Sequence, residues 1–115
     1  MVNSYILQID IAHPPLPSAK AETELTRILS RAIHTKTIQA IKVIHGYGST
    51  GHGGVLKEVV QNWAYRNRKH IRAVIPGEEY GIFDPATQEL RELHGAILDE
   101  DLDQKNPGIT IIRID

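Results

Sequence analysis

Cysteine is absent from the 115-residue chain. Disulfides and thiolate metal sites are therefore excluded, and the absence suits a reducing, cytoplasmic setting. Long apolar runs are missing too. None approaches the ~20 residues needed to span a bilayer, so no membrane partner is expected. Residues 1 to 4 do not show the basic-then-apolar pattern of a signal peptide. Excess charge of either sign is also lacking. The 13 Lys and Arg against 14 Asp and Glu give a formal net charge of −1. A dedicated nucleic-acid binder is usually basic, so strong nonspecific affinity is disfavoured, although a local basic patch remains compatible with this balance. The chain shows no internal repeat and no low-complexity linker.

The hydrophobic content of 41% and charged content of 23% are those of an ordinary globular protein. The length is near the commonest size for one domain, so residues 1 to 115 are expected to form a single unit. Residues 5 to 11 read as a first strand, stopped by Pro14, Pro15 and Pro17. Ser18 is a fitting N-cap for a helix from about residue 19 to 34, with Ala21, Leu25, Ile28, Leu29 and Ala32 on one face. Residues 38 to 45 form a second strand. A second helix is expected from about 53 to 68, with Val55, Val59, Val60, Trp63 and Ala64 on its buried side. Strands follow at 70 to 76 and 109 to 114. Between these two strands, Asp84 and Pro85 can start a short helix. Residues 99 to 103 read as a solvated acidic loop, and Asn106-Pro107-Gly108 as a turn. The alternation predicts an α/β fold. It is a two-layer βαβαβ-type sandwich whose mixed sheet has about four strands and two main helices.

The strongest clue to function lies between the second strand and second helix. After Val43-Ile44-His45 come five glycines among the nine residues 46 to 54. A strand, a glycine-rich loop and a helix N-terminus can present amide N–H groups to a phosphate-bearing ligand. Gly46, Gly48, Gly51 and Gly53 would supply backbone, with Ser49, Thr50 and His52 beside them. Lys57, one turn into the helix, could reach a phosphate held there. The loop is neither a P-loop nor the dinucleotide fingerprint. The acidic stretch lacks the register of a calcium loop. Arg66, Arg68, Lys69 and Arg72 form a basic run, for which the helix C-terminal dipole is sufficient reason.

His45 has two readings. It is either a buried histidine bonded to a backbone carbonyl, or a phosphate contact and proton donor. Asp10, between Ile9 and Ile11, is costly in a strand unless it is bonded or working. It reads as a cap, or as a base, a metal ligand or the orienter of a histidine. Ligands of parallel sheets bind beyond the strands' carboxyl ends. Asp10, His13 and His45 should therefore share one edge.

The motif Ile44-His45-Gly46-Tyr47-Gly48-Ser49-Thr50-Gly51, the helix start Gly53-Gly54-Val55-Leu56-Lys57 and the ending Asn106-Pro107-Gly108-Ile109 resemble the Smr (small MutS-related) domain family. The family's first-strand motif, Leu-Asp-Leu-His-Gly, is degraded here to Ile9-Asp10-Ile11-Ala12-His13. Ala12 replaces the histidine, and His13 replaces the glycine. His13 can supply the missing imidazole only if the strand has ended or bulges.

The resemblance implies a fold similar to the C-terminal domain of the third bacterial translation initiation factor. It also implies DNA or RNA as partner, with an endonuclease activity that nicks or cuts, or binding alone. On this reading the catalytic residues are Asp10, His13 and His45, and residues 46 to 53 with Lys57 hold the phosphodiester. A divalent metal is open but not required, because an RNA 2′-hydroxyl can serve as nucleophile. The alternative is a non-catalytic module that binds RNA, a ribosome or a protein.

Overall fold

Short runs rich in isoleucine and valine pair into a four-stranded sheet in a computed structural model, described over residues 5–47, 53–94 and 99–114. The strands are β1 (Ile6–Asp10), β2 (Ala40–Ile44), β3 (Ala73–Pro76) and β4 (Ile109–Arg113). Their order across the sheet is β1-β2-β4-β3. β1 and β2 run parallel, while β4 lies antiparallel to both β2 and β3. The carboxyl ends of β1, β2 and β3 therefore lie at one edge of the sheet, and their starts lie at the other.

Helix α1 (Ser18–Ile33) joins β1 to β2, and α2 (Gly53–Arg66) leads from β2 towards β3. The α1 face Ala21, Leu25, Ile28, Leu29 and Ala32 is buried as expected. It packs with Ile41, Val43 and Ile112 from one side of the sheet and with Leu56, Val60, Trp63 and Ala64 from α2. The other side of the sheet is also covered. Helix α3 (Pro85–His94) places Leu90 against Ala40, Ile75, Ile109, Ile111 and Tyr80. Asp84 caps this helix as the sequence suggests, since its Oδ2 accepts from the Thr87 N–H at 2.9 Å and hydroxyl at 2.8 Å.

Several expectations need correction. Val55 is 54% exposed, and Leu56 takes the buried position. The burial stripe Leu56, Val60, Trp63, Ala64 follows i, i+4, i+7, i+8, which leaves Val55 off the seam. Ser18 lies inside α1, whose cap is Pro17, without a side-chain bond. Helix α2 ends at Arg66, and residues 68 to 70 form a separate 3₁₀ turn. The acidic loop is not solvated at its key positions. The Asp99 side chain is only 5% exposed and pairs with Lys42, as does Asp101 at 2.7 Å.

Candidate nucleic-acid interface

β1 stops at Asp10 because the chain turns sharply beyond it. Leu16 N–H donates to the Ile11 carbonyl at 2.9 Å, closing a loop around Pro14 and Pro15. The strand has therefore ended before His13. Inside the turn one carboxylate organises three donors. Asp10 Oδ1 accepts from the backbone N–H of Ala12 at 2.8 Å and of His13 at 3.1 Å. The His13 ring Nδ1 lies 3.0 Å from Asp10 Oδ2 and 3.1 Å from Oδ1. An acceptor-only carboxylate there fixes the proton on Nδ1 and leaves Nε2 as the free nitrogen of a neutral ring. The His13 side chain is 69% exposed.

β2 ends differently. His45 has no exposed surface. Its Nδ1–H donates to the Gly46 carbonyl at 2.9 Å, and its Nε2 accepts from the Thr110 hydroxyl at 2.9 Å. Both nitrogens of a neutral imidazole are satisfied. Burial holds its pKa below the ordinary value, outweighing the Gly46 carbonyl's pull in the other direction. In its register His45 follows Ile41 and Val43, which pack against α1 and α2. Asp10 follows Ile6, which packs on the α3 side. The two strand ends are neighbours, with Asp10 opposite Ile44, but alternation sends Asp10 and His45 to opposite faces. Topology thus pairs Asp10 with His13 and sets His45 apart.

The amides leaving β2 are also engaged. The N–H groups of His45 and Gly46 both donate to the Gly108 carbonyl, at 2.9 and 3.0 Å. Gly46 N–H is therefore not available to an anion, contrary to expectation. The left-handed φ of 76° at Gly46 explains why glycine stands there. Gly108 is held by its own N–H, which donates to Asn106 Oδ1 at 2.8 Å. A Cβ at Gly108 would fall 2.8 Å from the Tyr47 ring. Gly48, Ser49, Thr50, Gly51 and His52 lie outside the described residues.

Sequence reasoning did not single out the polar cluster behind this turn. Lys42 on β2 is 4% exposed and pairs with Asp99 and Asp101. Burial alone would lower its pKa, but the two carboxylates outweigh burial and hold it above the usual value. Tyr80 donates to Asp99 at 2.8 Å, and burial with that carboxylate pushes its phenol well up. The cluster anchors the segment that carries Gly108. One signal was available: a lysine within an isoleucine- and valine-rich strand requires a buried counter-charge.

α2 begins at Gly53, and its first-turn amides have no partner within the helix. Lys57 is one turn in and reaches Glu78 Oε2 at 3.3 Å, with both side chains partly exposed. An arriving phosphate would compete with Glu78 for it. Among the described residues no three His, Asp or Glu side chains gather as a metal centre. No helix among them is long and apolar enough to cross a membrane.

A sequence profile of the Smr domain matches residues 15–81. The chain belongs to the Smr domain family. Smr domains are associated with nucleic-acid binding and nuclease activity. The crystal structure of the Smr domain of Thermus thermophilus MutS2 is similar to this fold. Its TM-score is 0.57 at 16% identity, over 95% of this chain and 98% of that one. At that identity the likeness speaks for the fold alone. No match is found among curated proteins. The matched span contains His45, Gly46 and Lys57 but starts after Asp10 and His13. The altered first-strand motif therefore lies outside it.

Proposed function

We propose that this Smr domain holds a nucleic-acid backbone at the carboxyl edge of its sheet and cleaves RNA there, with Asp10 and His13 as an acid–base pair. The observation that supports this reading is the exposed Asp10–His13 pair at 3.0 Å, on the edge where α2 begins. Asp10 keeps the His13 proton on Nδ1, so Nε2 is free to take the proton of a 2′-hydroxyl. The resulting oxygen attacks phosphorus, and the 5′-oxygen leaves with a proton taken from water, giving a 2′,3′-cyclic phosphate and a 5′-hydroxyl. The first-turn amides of α2 and Lys57 would carry the charge that develops on the phosphoryl oxygens. His45 acts through its bonds to Gly46 and Thr110 and keeps the end of β2 seated.

The test compares wild type with His13→Ala and Asp10→Asn on single-stranded RNA and DNA, with and without magnesium. The reading expects RNA cleavage with cyclic-phosphate ends, lost in His13→Ala and depressed in Asp10→Asn, while RNA binding persists. Cleavage that survives His13→Ala would sink it. A second reading, binding without cleavage to RNA, a ribosome or a protein, is favoured by one observation: the family-matched histidine, His45, is fully buried. A wild type that binds RNA and cuts nothing would select this second reading.

A further inference from the structure

The dipole of α2 accounts for cations at that helix's end, but most of the basic run lies beyond it. Arg66 ends α2 and pairs with Glu22 at 2.6 Å. Lys69 and His70 stand on the 3₁₀ turn, and Arg72 precedes β3. None of these three sits in the last helical turn, so the dipole does not account for them. Among the described residues no carboxylate pairs with Lys69, His70 or Arg72. Positions 59 to 77 of the sequence contain no acidic residue. In a chain of net charge −1, this is a concentrated positive patch.

The patch has shape as well as charge. Lys69, His70 and Arg72 line a cleft of about 380 Å³, floored by Ile33, Ile71 and Ile114. Ile33 ends α1, and Ile114 follows β4, whose Arg113 lies opposite Ala40 at the start of β2. The cleft therefore lies at the strands' amino edge, across the sheet from His13 and α2's start. Arg68 shares the 3₁₀ turn with Lys69 and His70, and its guanidinium lies 4.3 Å above the ring centroid of Tyr65, which is 67% exposed.

We infer that this cleft is a second nucleic-acid contact, which takes a single-stranded segment. Lys69 and Arg72 would meet phosphates, Arg72 with its fork of donors. The apolar floor and the Tyr65–Arg68 stack would receive unpaired bases, which a duplex keeps buried in its own stack. An acidic peptide would satisfy the cations but leave the aromatic stack without a partner. The contact is independent of the Asp10–His13 reading, because the two lie at opposite edges.

The test is binding of a labelled single-stranded RNA to wild type, to Lys69→Gln/Arg72→Gln and to the charge-preserving Lys69→Arg/Arg72→Lys, across a salt series. The neutralised variant is expected to lose about tenfold or more in affinity and to show a log–log salt slope shallower by about 1.4, for two phosphates at ~0.7 each. The charge-preserving variant should keep the wild-type slope. Circular dichroism should match throughout, because the substituted side chains are exposed. A neutralised variant with wild-type affinity and slope overturns the inference, as does a wild type that binds no RNA. Tighter binding of polyglutamate than of RNA, lost in the same variant, also overturns it. Loss of slope in the neutralised variant beside a wild type that cuts nothing would fail the catalytic reading and leave this contact standing; cleavage by wild type beside an unchanged slope in the neutralised variant would do the reverse.

Discussion

Two parallel strands end side by side, each followed by a histidine, and the two histidines live in opposite conditions. His13 stands on a proline-bounded turn, is mostly exposed, and has one bonded nitrogen and one free. His45 is sealed, with both nitrogens bonded and its backbone tied to Gly108. The contrast separates two requirements that one motif can hide. A loop near a phosphate must be held in place, and a proton must be moved. A histidine without solvent access serves the first, and one with a free nitrogen serves the second.

Breaking the sealed end should have the largest effects. Lys42→Ala leaves the buried Asp99 carboxylate and the partly buried Asp101 without a counter-charge, at a cost of about 3–5 kcal/mol, measurable by urea denaturation. Lys42→Met with Asp99→Asn and Asp101→Asn should recover much of that loss. His45→Ala opens a cavity and orphans the Thr110 hydroxyl, at about 2–4 kcal/mol. His13→Ala should change stability by less than about 0.5 kcal/mol but slow RNA cleavage by ~10²-fold or more. Equal stability losses at the two histidines would erase the distinction.

A subtler effect is a pH dependence. The folded pKa of His45 lies below its ordinary 6.5, so between those two values the unfolded chain binds the proton and the folded chain does not. Stability should be unaffected above pH 6.5 and should fall as pH drops below it, by up to about 1.4 kcal/mol per unit of depression. His45→Gln should flatten that part of the profile, while His13→Gln should not.

The sheet and its helices were legible because burial follows period. The stripe of α1 and the apolar run of β2 each allow one register. Helix α2 was less legible, because the doublets Val55-Leu56 and Val59-Val60 offer two registers, and only packing against α1 and the sheet selects Leu56 and Val60. The candidate site was legible as an edge, since topology places residues 10, 13 and 45 at the ends of neighbouring strands. Which side chains face solvent was not legible, because that depends on where β1 stops and on Thr110, 65 residues from His45. The Lys42 cluster was hidden for a similar reason. Its carboxylates come from a loop 57 and 59 residues away, and such a loop reads as solvated until its partner is placed.

The central claim is that His13 works and His45 holds. Ring ¹⁵N NMR of both histidines, free and saturated with a non-cleavable 2′-deoxy analogue of the RNA, tests it most directly. The account predicts a shift of the His13 Nε2 resonance on binding, while His45 stays a neutral ring with unchanged resonances. A His45 ring that shifts or becomes protonated on binding, beside a silent His13, would contradict it.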